Sequence, residues 1–327
     1  MVTFDYYQDL TNFWKKIRKE KEKKNNKDKI VEIFVLGKFW FTENKDGLPG
    51  LRIKLDQNKI NSNFLIKAKG WTILEGDKII EMYLNNKNYN DFFIKIINLI
   101  ITKIYLEKLS DKESIKVFFE ELNLAKDFFE DESVPKKLNI SQQIGLFGEI
   151  FVLSKLLTKK LSIKDALLSW TGPFKKHDFT TNKILLEIKT TTTSSKKINT
   201  SSNNQISPQF EKNLYVSFIE LNKSLTGKSL VLIIDEFYEN LKKESNILAN
   251  EFLLKLAKVK YFEVHKNEYE QKYLVDKINY FEIRDDFPYI KKVEIPDELS
   301  DLSITYKIDL EKCEDFRINE EQLLNKI

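Results

Sequence analysis

The stretch His177–Thr190 constrains this chain more than any other part of it. Its second half, Ile184-Leu185-Leu186-Glu187-Ile188-Lys189-Thr190, is apolar or β-branched apart from two charged residues. Side chains alternate faces along a strand, so Glu187 and Lys189 share one face while Leu186 and Ile188 enter a core. Asn182-Lys183 sits midway, and Asn tolerates the positive φ that two-residue hairpin loops require. A hairpin closed there pairs Asp178 with Glu187. Two carboxylates then stand side by side on one face, with an ammonium one step further along.

Left unmatched, that pair repels. A divalent cation relieves the repulsion, and hard oxygen ligands suit Mg²⁺, with Mn²⁺ as a substitute. Such an ion lowers the pKa of a bound water and stabilises charge on phosphoryl oxygens. Lys189 can orient or deprotonate that water, or hold a phosphate oxygen. The backbone carbonyl of Ile188 faces the same region as a further ligand. The spacing alone is weak evidence, because Glu-x-Lys recurs at Glu22–Lys24 and Glu270–Lys272. On the hairpin alone an ordinary half-buried strand pair accounts for the pattern better. Upstream, Gly145-Leu146-Phe147-Gly148-Glu149 lies in a predicted helix capped by Ser141 and reaching about Leu157. Two glycines inside a helix each cost about 1 kcal/mol against Ala. Close approach of the helix to a sheet is one reason to have them, and it brings Glu149 to the site as a further metal ligand or as an orienter of Lys189.

The rest of the chain sets bounds. Its 327 residues exceed one small core. The lone Cys313 allows no internal disulfide and no cysteine zinc cluster, and fits a reducing cytoplasm. Met1–Leu10 lacks a basic-then-apolar pattern, so no leader is expected. The apolar run Phe92–Leu106 is broken by Lys95, Asn98 and Lys103, which reads as an amphipathic helix and not a membrane span. A net charge of +4 tolerates a nucleic-acid partner without demanding one. Three regions follow: an N-terminal α+β domain at 1–136, with a small antiparallel sheet over Ile30–Glu81 and a helix over Asn90–Lys108; a core at 137–245; and a C-terminal α+β extension at 246–327. Leu214–Glu220 and Leu230–Asp235 read as strands, and Phe237–Val259 as a long helix.

In order along the chain, Gly145-x-x-Gly148-Glu149, Trp170-Thr171-Gly172-Pro173, His177-Asp178-Phe179 and Leu186-Glu187-Ile188-Lys189-Thr190-Thr191 resemble a bacterial family of PD-(D/E)XK motif proteins, whose members occur in phage-defence and restriction gene clusters. Ile198-Asn199-Thr200-Ser201-Ser202 with Gln205, then Leu214-Tyr215-Val216 and Asp285-Asp286-Phe287-Pro288, extend the likeness over most of the chain. His177 replaces the proline of the motif name, which is a backbone preference and not a catalytic group. The resemblance implies an α/β (α+β overall) fold with a restriction endonuclease-like core, a central mixed sheet flanked by helices. It implies DNA as substrate, Mg²⁺ as cofactor, and catalytic roles for Glu149, Asp178, Glu187 and Lys189. It also implies partner proteins of the same gene cluster, a helicase-like ATPase among them, and leaves a homo-oligomer open. Gln205 then orients Lys189 or touches substrate.

Lys175, Lys176, Lys196 and Lys197 flank the site in sequence and are candidates to meet phosphates. His177 neighbours Asp178 on a strand and so is expected to face away from it, while Trp170 reads as a core anchor. Gly227-Lys228-Ser229 looks like part of a P-loop, but the earlier glycine is replaced by Asn222 and a strand is expected next, so ATP binding is rejected. The reading is a metal-dependent DNA endonuclease. Its rivals are a catalytically silent DNA-binding or scaffold subunit of a defence complex, and an RNA nuclease or toxin.

Overall fold

The computed structural model describes residues 32–44, 46–55, 69–126, 137–172, 176–200, 206–208, 212–290 and 305–327. Gln205 and Lys175 lie outside them. The chain forms two compact units, Met1–Lys137 with Ala249–Lys260, and Leu138–Leu248 with Tyr261–Ile327.

In the first unit, β1 (Glu32–Leu36), β2 (Phe39–Glu43), β3 (Pro49–Lys54), β4 (Trp71–Gly76) and β5 (Ile79–Leu84) make an antiparallel sheet in the order β1-β2-β3-β5-β4. Two helices follow, α1 (Asn90–Leu106) and α2 (Asp111–Ala125). Lys103 on α1 reaches Glu121 on α2 at 2.8 Å and Glu251 at 3.3 Å, and Lys258 reaches Glu121 at 3.4 Å. These ion pairs, with Asn250 donating to the Leu99 carbonyl, tie the segment Ala249–Lys260 into this unit.

The second unit carries the motifs. It contains α3 (Ile140–Phe151), α4 (Ile163–Ser169), β6 (Phe179–Thr180), β7 (Ile184–Thr191), β8 (Lys197–Thr200), β9 (Asn213–Ser229) and α5 (Leu230–Glu244). Beyond α6 (Asn246–Lys258) come β10 (Lys272–Ile283), β11 (Tyr306–Asp309), β12 (Arg317–Ile318) and α7 (Glu320–Leu324). The central sheet has the order β12-β10-β9-β7-β6, with β7 parallel to β9 and its other pairings antiparallel. This is the mixed α+β core expected.

The expected division at 245/246 is not found. The region 246–327 is no separate extension, because β10 pairs along β9 from Ser229 to Leu214 and so completes the sheet of the motif strand. The end of the predicted long helix returns instead to the first unit. Strand pairing over such sequence separations has no local signal. Leu230–Asp235 is also helical: β9 runs to Ser229, whose side chain accepts from the Leu232 amide and caps α5.

The helix bearing Glu149 is capped by Asn139, not Ser141. Asn139 and Gln142 form a reciprocal capping box. Beyond Phe151 the helix widens into a π turn, Val152–Leu156, with Val152, Leu153 and Leu156 buried. The run Ile140–Lys159 has the length and hydropathy of a membrane span, yet half of it is buried inside the protein.

The two glycines of α3 differ. A Cβ on Gly148 would lie 1.9 Å from Thr190 Oγ1, 3.1 Å from Thr190 Cβ and 3.3 Å from Ile188 Cγ2. Here the helix does press on β7. A Cβ on Gly145 would meet nothing within 4 Å, so close approach does not explain that glycine. Gly148→Ala should therefore destabilise the protein by about 1–3 kcal/mol through overpacking, whereas Gly145→Ala should stabilise it by up to about 1 kcal/mol through helix propensity. Urea unfolding of both variants measures the contrast, and equal effects would refute it.

Candidate active site

The hairpin has the expected register. Phe179 pairs with Leu186 and Thr180 with Leu185, so one further step puts Asp178 opposite Glu187. Its turn is built differently from the expectation. Among described residues the positive-φ positions other than glycine are Lys78, Lys108 and Lys260, and Asn182 is not one of them. Thr181 closes the loop instead, its hydroxyl accepting from the amides of Lys183 at 3.2 Å and Ile184 at 2.9 Å. Lys212 donates to the Thr181 carbonyl at 2.6 Å from outside.

β6 is short, so among the described residues the edge of β7 has no strand partner on that side beyond Leu186. Asp178 takes up the role with its side chain. Its Oδ2 accepts from the Ile188 amide at 2.7 Å, between Glu187 and Lys189. Thr171 fixes the backbone behind it: its amide donates to the Asp178 carbonyl at 2.9 Å, and its hydroxyl donates to the carbonyls of His177 and Asp178.

Glu187 is 1% exposed. Its Oε1 accepts from Lys189 Nζ at 2.8 Å, which places the two on one face as the alternation requires. In register, that face also carries Val216 and Phe218 of β9, while Ile188 and Thr190 face α3. Glu149 follows Gly148 on α3, and its Oε2 accepts from the indole N–H of Trp170 at 2.8 Å. Trp170, itself 1% exposed, is thus more than a core anchor.

The charges show how closely these groups gather. Burial, then repulsion from Glu187, pushes the Glu149 carboxyl up to about 7, against the opposing Trp170 hydrogen bond and Lys189 charge. Burial also raises Asp178 well above the ordinary carboxylate range, and repulsion from Glu149 and Glu187 adds to it; the Ile188 amide and Lys189 pull the other way. Glu149, Asp178, Glu187 and Lys189 are therefore near enough to feel one another's charge, with a surplus of negative charge when all are ionised.

A divalent cation fits that donor set chemically. The oxygens are hard, and Glu187 Oε2 is buried without a hydrogen-bond partner. As the side chains stand, no three His, Cys, Asp or Glu groups among the described residues ring one point. The hydrogen bonds say why: Glu149 is turned to Trp170, Asp178 to the Ile188 amide and Glu187 to Lys189.

His177 does not face away. It precedes β6, where strand alternation does not apply. Its ring is 5% exposed and its Nδ1 lies 3.7 Å from Glu187 Oε2. Of the lysines proposed to meet phosphates, Lys176 is exposed beside His177. Lys197 is exposed on β8, which pairs with β11 in a separate two-stranded sheet. Lys196 already pairs with Glu311 at 3.4 Å. The P-loop lookalike fails for a corrected reason. A helix does follow Ser229, but Gly227 sits within β9 against the Tyr273 backbone, and Lys228 is bound by both oxygens of Glu236.

A family model described as "Putative PD-(D/E)XK family member, (DUF4420)" matches residues 10–311. No curated protein and no solved structure matches the chain.

The raised carboxyls set a pH dependence with a definite sign. Between the ordinary glutamate value of 4.5 and about 7, folded Glu149 holds a proton that the unfolded chain has released. Stability then falls as pH rises through that window, and the same holds for Asp178 from its own lower starting point. Glu149→Gln should flatten the melting-temperature profile between about pH 5 and pH 8. Trp170→Phe, which removes the donor that holds the carboxyl down, should steepen it. Superimposable profiles for wild type and Glu149→Gln would show that Glu149 does not share this charge cluster.

Proposed function

The chain belongs to the PD-(D/E)XK family whose model it matches, and on that premise we propose that it is a metal-dependent nuclease that cleaves phosphodiester bonds in DNA. The observation that carries the reading is the clustering of one buried carboxylate, Glu187, and two half-buried ones, Glu149 and Asp178, with one lysine beside β7. Carboxylates that raise one another's pKa are relieved either by a proton or by a cation, and such clusters gather at functional sites more than for stability. Glu149, Asp178 and Glu187, with the Ile188 carbonyl, are the groups that would hold Mg²⁺ or Mn²⁺. When bound, such an ion supplies a more acidic water and charge neutralisation at the phosphoryl group.

The chain's own groups would do the rest. Lys189, held beside Glu187, is placed to donate to a phosphate oxygen or to orient the attacking water. Trp170 fixes the Glu149 carboxylate and the Ile188 amide fixes that of Asp178, each to be released toward a bound ion. Exposed Lys176 and Lys197 are the candidates for backbone phosphates along a bound strand. From the family resemblance alone, we assign the activity to phage defence or restriction in the cytoplasm, in concert with proteins of the same gene cluster, a helicase-like ATPase among them.

Lys189→Ala should lower metal-dependent cleavage by about 10²–10⁴. Duplex affinity should barely change, because it comes from many distributed phosphate contacts. Cleavage of duplex DNA, single-stranded DNA and RNA with Mg²⁺ or with chelator, set beside a binding isotherm for each protein, makes the comparison. Wild type tested with its gene neighbours and cutting no better than Lys189→Ala would favour the silent scaffold. Cleavage confined to RNA would replace the substrate.

A further inference from the structure

We propose that His177 is a nitrogen ligand of the cation site at Asp178 and Glu187, which makes that site a mixed nitrogen–oxygen centre that favours Mn²⁺ over Mg²⁺. This rests on the metal-dependent reading above and goes beyond the carboxylate set it uses.

The observation is a buried mismatch. Both ring nitrogens of His177 and the Oε2 of Glu187 are buried without a hydrogen-bond partner. The imidazole is 5% exposed and the carboxylate 1%. Their nearest polar atoms, Nδ1 and Oε2, stand 3.7 Å apart, which is too long for a hydrogen bond. A buried donor or acceptor left unmade destabilises the fold. An aromatic or aliphatic residue would fill the space without that cost. The gap suits a shared ion: ligand bonds of about 2.0–2.2 Å to each atom can span it.

The imidazole is also held in place. Thr171 donates to the His177 carbonyl, and the next residue, Asp178, is fixed to the Ile188 amide. Position 177 is therefore no loose loop end, and its side chain is aimed at the acid that the hairpin buries most deeply. Imidazole is a poor ligand for Mg²⁺, which prefers oxygen and retained water, and a good one for first-row transition ions. A nitrogen here tilts the site toward the latter.

Mn²⁺ reports this directly, because a bound imidazole imprints nitrogen-14 modulation on its pulsed electron paramagnetic resonance signal. The measurements are that spectrum, and calorimetric Mn²⁺ and Mg²⁺ affinities, for the full chain as wild type, His177→Asn and Asp178→Asn, each checked for a native melt. The expected result is nitrogen modulation in wild type that vanishes in His177→Asn. Mn²⁺ affinity should fall in that variant by at least the about 10–100-fold typical of lost outer-shell partners, while Mg²⁺ affinity changes much less. If Asp178→Asn abolishes binding but wild type shows no nitrogen signal, the metal reading stands and the histidine is overturned as a ligand. If wild type binds no Mn²⁺, or Asp178→Asn binds it equally, the metal site itself is wrong and this proposal falls with it. Should His177→Asn not fold, the wild-type spectrum still decides.

Discussion

The distance at which α3 lies on β7 governs much of what this protein can do. With a hydrogen at position 148, the helix backbone comes down onto Thr190 and Ile188. Any larger residue would lift the helix, and Glu149 with it, away from the strand. The contact works together with the brevity of β6, which among the described residues leaves the edge of β7 beyond Leu186 to the Asp178 side chain and not to a strand. Glu187 and Lys189 occupy one face of β7, α3 packs on the other and Asp178 bonds the strand edge, and Glu149 still feels the charges of Glu187 and Lys189. One glycine and one truncated strand thus bring a helix residue and two hairpin residues to the same place.

That place is costly to the fold. Carboxylates removed from water lose hydration, and a single ammonium cannot match all of them. Part of the cost is met locally: the Trp170 indole, the Ile188 amide and Lys189 each donate to one acid. The same donors turn the acids apart, which is why they do not converge on one point. In these terms a cation and the internal donors compete for the same oxygens. Metal uptake at such a site would be accompanied by proton release from Glu149 and Asp178, and by some re-aiming of their side chains.

The site was more legible in the sequence than the fold around it. Alternation on β7 and a two-residue loop suffice to place Glu187 with Lys189 and to set the register, even though Thr181, not a positive-φ Asn182, builds the turn. Both are local relations. Local signals also gave the antiparallel sheet of the first unit and the helix over Asn90–Leu106. What escaped was non-local or ambiguous. The return of Ala249–Lys260 to the first unit rests on ion pairs across long separations. Leu230–Asp235, a run of apolar residues, suits strand or helix equally until Ser229 caps it. Strand β8 was hidden in a polar tract because its partner β11 lies far downstream. Trp170 as the donor to Glu149 had no signal beyond its position in the family pattern.

His177 shows how such a motif can change one residue and keep its geometry. A proline before the motif aspartate would fix φ covalently and remove a donor. Here the backbone at that point is held by Thr171, which donates to the carbonyls of His177 and Asp178 through its hydroxyl and again to Asp178 through its amide. Hydrogen bonds from a neighbouring loop thus do the work of a ring closure. That exchange frees position 177 to carry a side chain with chemistry of its own, and the chain places there an imidazole buried against Glu187. A replacement that only relaxed the backbone would have left that side chain in solvent or made it apolar. Its burial without a hydrogen-bond partner, next to an equally unpartnered carboxylate oxygen, is an arrangement that packing alone does not favour.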